Sequence, residues 1–280
     1  MRCFWAVVSL QTDLNLAFAS PIGLRSSLLE ASGTTIDTPW AMQNAEHVLP
    51  AGHSGGENSS GDVIRQFPVD ETSGIISISN SHVQASVLLH RVLFLAAKWS
   101  SNLQPTELSS YMESYTWLDG RITHFSNGLP PIYPLADNGL VMAHVLVAAA
   151  AIRLHRPFSA LDQVARMKCI SASRTVLRVL RDTTISAASS ISHANPVIGT
   201  ICALACSILF DEIERTRLMW VEWAQTPDVN VLPAGEPEST LLLSLQEGME
   251  IMGMRAPGNP LAEHQLTEVQ QRYNSHYGSL

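Results

Sequence analysis

Apolar residues recur along this chain at the three-to-four spacing of buried helix faces, and no run alternates with the period of two that a half-exposed strand requires. The clearest case is the stretch from Leu140 to Ile152, apolar on nearly every side, which closes in the corner Arg153-Leu154-His155-Arg156-Pro157-Phe158. Asp137 and Asn138 offer N-cap oxygens, the alanines favour helix, and the cations suit a helix C-terminus. Pro157 stops the helix by denying the next backbone donor. A helix apolar all round must be buried. Its uninterrupted apolar core is only about two-thirds of the roughly 20 residues that span a bilayer, so a packed protein interior is the expectation.

The same spacing predicts further helices. One over 2–19 sets Phe4, Val7, Val8, Leu10 or Gln11, and Leu14 on one face. A second begins near Ser79, with Val83, Val87, His90, Phe94 and Ala97 on a stripe that Leu88, Val92, Leu95 and Trp99 widen. A third opens at Pro105-Thr106-Glu107 and runs through Tyr111, Tyr115, Trp117 and Leu118 toward Pro130-Pro131. Beyond the basic corner, Ser159-Ala160-Leu161-Asp162 reads as a capping-box variant whose helix buries Leu161, Ala165, Cys169, Ala172, Val176 and Leu180. Asn195 and Pro196 launch the longest helix, with Ile198, Cys202, Ala205, Leu209, Ile213, Trp220 and Trp223 inward and an exposed Asp211–Arg215 pair. A last helix through Leu241, Leu242, Leu245, Met249 and Met252 leads into a polar tail. Residues 41–76, rich in Gly, Ser, Asn and acidic side chains, carry no period and read as a long mobile loop.

Several of these segments, in this order, resemble the regulatory "middle homology region" of fungal zinc-cluster transcription factors. The resemblance rests on Arg2, Phe4, Trp5 and Asp13, then the turn at Pro21 and Leu24, then Ile36-Asp37-Thr38-Pro39. It continues in the aromatic helix closing on Leu129-Pro130-Pro131, in the buried helix ending Leu154-His155-Arg156-Pro157-Phe158, and in Lys168-Cys169-Ile170-Ser171-Ala172-Ser173-Arg174. Ser20 stands where a Gly-Arg pair often precedes the proline. The resemblance implies an all-α, multi-helix regulatory domain over 1–230, followed by a C-terminal helix and tail over 231–280. It further implies a nuclear protein controlling RNA polymerase II transcription in response to a small-molecule effector or coregulator protein, with homodimerisation as a further expectation. Members carry a six-cysteine zinc cluster that reads DNA; this sequence holds no such cluster, so zinc is expected only there, DNA contact only through a domain outside this chain, and Met1 inside the regulatory domain.

Composition agrees with that division of labour. A net charge of −8 opposes unaided binding to a nucleic acid backbone, which depends on lysines and arginines displacing counterions. Only Lys98 and Lys168 are lysine, so the basic residues are mostly arginine, the residue of fixed ion pairs. The four cysteines, Cys3, Cys169, Cys202 and Cys206, lie in apolar segments and suit reduced core thiols; Cys202 and Cys206 share a helical face, but no further ligands at metal spacing accompany them.

Two enzymatic or secretory alternatives stand beside this reading. Gly52-His53-Ser54-Gly55-Gly56 satisfies the Gly-x-Ser-x-Gly pattern of a hydrolase nucleophile, yet no strand precedes Ser54 and no helix follows it. The apolar N-terminus with Ala17-Phe18-Ala19 imitates a signal peptide, interrupted by Gln11, Thr12, Asp13 and Asn15; a secreted or membrane-associated helical protein is the reading it would support. No catalytic, cofactor or metal set emerges. The residues singled out for effector or anion contact are Arg153, His155 and Arg156, against the plainer role of satisfying the last helical carbonyls. Arg174, Arg178 and Arg181 form a second basic stripe, which a solvated face explains as well as an anion site does.

Overall fold

A computed structural model of the chain describes residues 10, 12, 16, 78–100, 102–132, 138–186, 197–225 and 236–278. Among the described residues the protein is all-α, with seven long helices and no strand. They are α1 (Ile78–Ala97), α2 (Pro105–Gly128), α3 (Asn138–His155), α4 (Gln163–Ser186), α5 (Val197–Gln225), α6 (Glu238–Arg255) and α7 (Pro260–Tyr277), with a 3-10 turn over Arg156–Phe158. Of the expected first helix, Leu10, Thr12 and Leu16 are described and helical. Thr12 and Leu16, four apart, are buried, whereas Leu10, placed on the apolar face by its spacing, is exposed. The loop over 41–76, with Ser54, lies outside the described residues, as do Cys3, Asn195 and Pro196.

The chain divides into two compact units, Met1–Ala143 and His144–Leu280, with the boundary inside α3. In the first, α1 and α2 pack together. Trp99 and Tyr111 meet at a ring separation of 5.2 Å, and the guanidinium groups of Arg91 and Arg121 each lie 5.6 Å from the Trp117 ring. The buried face of α1 is Ser81, Ala85, Leu88, Val92 and Leu95, with Leu89 beside it. Val87 of the expected stripe is buried, as are Leu88, Val92 and Leu95 that widen it, whereas Val83, His90 and Phe94 are half-buried and Ala97 is exposed. Small Ser81 and Ala85 seat the helix closely, which sequence hydrophobicity alone does not register. At the head of α2, Gln104 and Glu107 form a capping box, with the Gln104 N–H donating to Glu107 Oε2 at 3.1 Å.

In the second unit, α5 is the hub, packing on α4, α6 and α7. Ile198, Cys202, Ala205, Leu209 and Ile213 are buried as their spacing predicts. Past Thr216 nothing on α5 is buried, so Trp220 and Trp223 are not core residues; they stack edge to face at 5.6 Å, with Trp220 44% exposed. The polar tail also departs from expectation, because 260–277 is helical. Asn259 caps α7 by accepting from the Ala262 N–H at 3.2 Å, Pro260 takes the first turn, and Gly258 supplies the left-handed φ of 79° that reverses the chain out of α6. Glu238 then ties three helices together: it accepts from Arg217 of α5 at 2.6 and 2.9 Å and from the Tyr277 hydroxyl of α7 at 3.1 Å.

Candidate functional site

In α3 every residue over 140–152 is buried except His144 and Ala151, which are half-buried. The segment Asn138–Phe158 is long and apolar enough to cross a membrane by length and composition, but 72% of its apolar window is already buried inside the protein. Its C-terminal corner sends the three singled-out residues to different environments. The Arg153 guanidinium is largely buried and its Nε has no hydrogen-bond partner; burial first, and the neighbouring Arg156 charge second, lower its pKa. His155 is buried. Arg156 reaches solvent and pairs with Asp211 of α5 at 3.4 Å, so its charge is spoken for within the fold. Asp211 also accepts from Arg272 of α7 at 3.0 Å, and Arg272 in turn donates to Glu214 at 2.8 Å and lies 4.7 Å from the Phe210 ring. Asp211 is therefore a bridge between the corner and α7, and the expected Asp211–Arg215 pair does not form: Arg215 binds the buried Glu212 instead, through Nε at 2.8 Å.

The start of α4 also differs from its capping-box reading. The 3-10 turn leaves the Ser159 hydroxyl donating to the Arg156 carbonyl at 2.8 Å, and Asp162 is the residue that caps, accepting from the Val164 N–H at 2.9 Å. With the helix beginning three residues later, Leu161 falls outside it and is 96% exposed. Cys169 is buried one helix away from the corner, its thiol directed to the Ile152 carbonyl at 3.8 Å, and burial pushes its pKa up to about 12.

A concave site lies elsewhere, between α4 and α6. It encloses about 600 Å³, within the range of small-molecule sites. Met167, Ile170 and Leu177 form its apolar part, Ser171 and Thr175 with Ser244 its neutral polar part, and Arg174, Arg178 and Arg181 its charged part against one carboxylate, Glu247. Two of the arginines are held by the protein. Arg174 pairs with Glu236, and Arg181 pairs with Glu247 at 2.8 Å and with Asp182 at 3.5 Å. Arg178, exposed, makes no ion pair among the described residues. The basic stripe visible in the sequence is thus one wall of a groove. Its acidic partners, Glu236 just ahead of α6 and Glu247 on it, lie more than 60 positions away in sequence, which is why spacing alone does not expose the groove. Arg153, His155 and Arg156 do not line this groove.

No group of three or more His, Cys, Asp or Glu side chains among the described residues is placed to hold a metal ion. Cys202 and Cys206 are both buried, and the Cys202 thiol is directed to the Gly248 carbonyl at 3.8 Å. The hydrogen bond that the Cys206 thiol donates to Cys202, and then its burial, raise the Cys206 pKa well above its ordinary value. Both are core thiols, and the protonated Cys206 is a poor nucleophile and a poor metal ligand. Comparison of the chain with protein-family models, with curated proteins and with solved structures finds no match.

Proposed function

We propose that this chain is the regulatory part of a nuclear, fungal zinc-cluster type transcription factor, acting through an effector or coregulator and not through catalysis. DNA contact, in this reading, belongs to a separate zinc-bearing domain. The observation that carries the reading is α3: a helix buried along nearly its whole length, turned by a 3-10 segment at Arg156-Pro157-Phe158, and fixed by Arg156 to the α5 hub through Asp211. The burial of this segment supports the central-helix role that its resemblance implies. An all-α body with a net charge of −8 further suits a domain that leaves DNA recognition to another part of the protein.

The test is to join the full chain to a heterologous DNA-binding module at a reporter promoter in a fungal host. The fusion is expected to enter the nucleus and to change reporter output several-fold relative to the module alone, in a manner that depends on the growth medium. Output identical to that of the module alone in every medium overturns the reading.

A further inference from the structure

We propose that the groove between α4 and α6 binds a small organic monocarboxylate that carries an apolar body. The inference stands on the groove itself and holds or fails independently of the regulatory reading.

The polarity of the groove runs along α4. Met167 and Ile170 lie at its N-terminal end and Arg178 and Arg181, with Leu177 beside them, at the other, a separation of about 21 Å from Met167 to Arg181 at the helical rise per residue. A ligand with an apolar body and a charged head matches that gradient. The charge of the head follows from the ion pairs. Glu236 pairs with Arg174, and both Glu247 and Asp182 pair with Arg181, so that Arg178 is the guanidinium of the lining with no ion-pair partner among the described residues. An anionic head matches that open guanidinium.

The donors are also specific. The Thr175 hydroxyl donates to the Ser171 carbonyl at 3.0 Å and the Ser244 hydroxyl to the Thr240 carbonyl at 3.1 Å, so neither has its proton to give. The Ser171 hydroxyl and the Arg178 guanidinium have no partner among the described residues and stand seven positions apart, on the same face of α4. Arg178 offers the planar fork that binds a carboxylate through two parallel N–H donors. Met167, exposed and flexible, is suited to covering an apolar body of variable shape.

The test uses the purified full chain and decanoate below its aggregation concentration, with decanol, acetate and inorganic phosphate alongside, followed by isothermal titration calorimetry. Saturable one-to-one binding of decanoate is expected, with decanol and acetate each about tenfold weaker or more, because each lacks one half of the match. Arg178→Gln is expected to weaken decanoate about tenfold while leaving decanol unchanged, and Met167→Asp to weaken decanoate more than hexanoate. Both positions are exposed, so both variants should retain the helical circular dichroism of the parent. Decanoate binding that is absent, that decanol equals, or that Arg178→Gln leaves intact overturns the proposal; tighter binding of inorganic phosphate than of decanoate overturns the carboxylate assignment.

Discussion

Gly248 of α6 faces Cys206 of α5 so closely that a β-carbon on the glycine would stand 2.6 Å from the cysteine Sγ. Leu177 of α4 closes the same point, 3.3 Å from that position, so three helices of the second unit converge where α6 lacks a side chain. Replacing an interior helical glycine by alanine ordinarily gains about 1 kcal/mol of helix propensity. Here the overlap wins, because the Cys206 thiol is fully buried and 2.6 Å is far inside any ordinary contact with a β-carbon. Gly248→Ala is expected to destabilise by about 1–3 kcal/mol in urea unfolding. Gly253→Ala, on the same helix with nothing near its β-carbon position, should stabilise by about 0.5–1 kcal/mol. Adding Cys206→Ala to Gly248→Ala should recover part of the loss, and strict additivity of the two changes would refute the steric account.

A buried hydrogen bond joins α7 to α5: the Gln265 amide donates to the Thr200 hydroxyl at 2.7 Å. Thr200→Val keeps the shape of the side chain and removes the acceptor. The amide donor is then buried without a partner, at a cost of about 1–3 kcal/mol. Pairing it with Gln265→Met, which removes the stranded donor, should restore most of that stability. A double variant as unstable as Thr200→Val alone would show that the bond is not what holds the two helices in register.

Much of this architecture was legible in the sequence, for identifiable reasons. The α3 core, the α4 positions Ala165, Cys169, Val176 and Leu180, and the α5 positions from Ile198 to Ile213 are buried because their apolar period is strong and locally complete. What spacing misjudged depended on groups distant in sequence or on backbone detail. Leu161 is exposed because Asp162, not Ser159, caps α4, a choice set by the 3-10 turn at Pro157. Helix α7 was hidden because its buried set, Ala262, Gln265 and Val269, is sparse and partly polar. Of the candidate site, the arginine stripe on α4 was visible, but the ion pairs that leave Arg178 unmatched come from Glu236 and Glu247, which no local pattern connects to it.

Burial of Cys169 makes stability depend on alkaline pH. The folded protein holds this thiol protonated up to about pH 12, burial being the main cause, with Arg156 opposing and Asp211 reinforcing. The unfolded chain releases the proton near the ordinary value of 9.0. The folded state therefore binds more protons in that window, so the contribution is complete below pH 9 and is lost as pH rises toward 12. Urea midpoints are expected to fall between about pH 8 and about pH 10, and the fall should be shallower in Cys169→Ala. Equal slopes in the two proteins would remove Cys169 as the cause. In the folded protein at about pH 8, iodoacetamide should leave Cys169, Cys202 and Cys206 unmodified, since all three are buried.

Asp211 and Glu212 are adjacent on α5, each bound to two arginines, and differ chiefly in solvent. Asp211 is 46% exposed and pairs with Arg156 and Arg272; Glu212 is 6% exposed and pairs with Arg215 and, at 3.8 Å, with Arg166 of α4. Water screens the first pair of contacts, so Asp211→Ala should cost about 1 kcal/mol or less, and the difference should shrink in concentrated salt. Removing Glu212 leaves the Arg166 and Arg215 guanidinium groups facing a partly desolvated gap with their best acceptor gone. Glu212→Ala should cost about 2–4 kcal/mol, with little response to salt, the upper figure being lowered from that of a fully buried pair because both arginines retain some contact with water. Urea unfolding of the two variants at low and high salt separates these outcomes. Equal losses, or a Glu212→Ala loss that salt abolishes, would mean that both carboxylates behave as surface charges and that the contact between α4 and α5 owes nothing to the buried one.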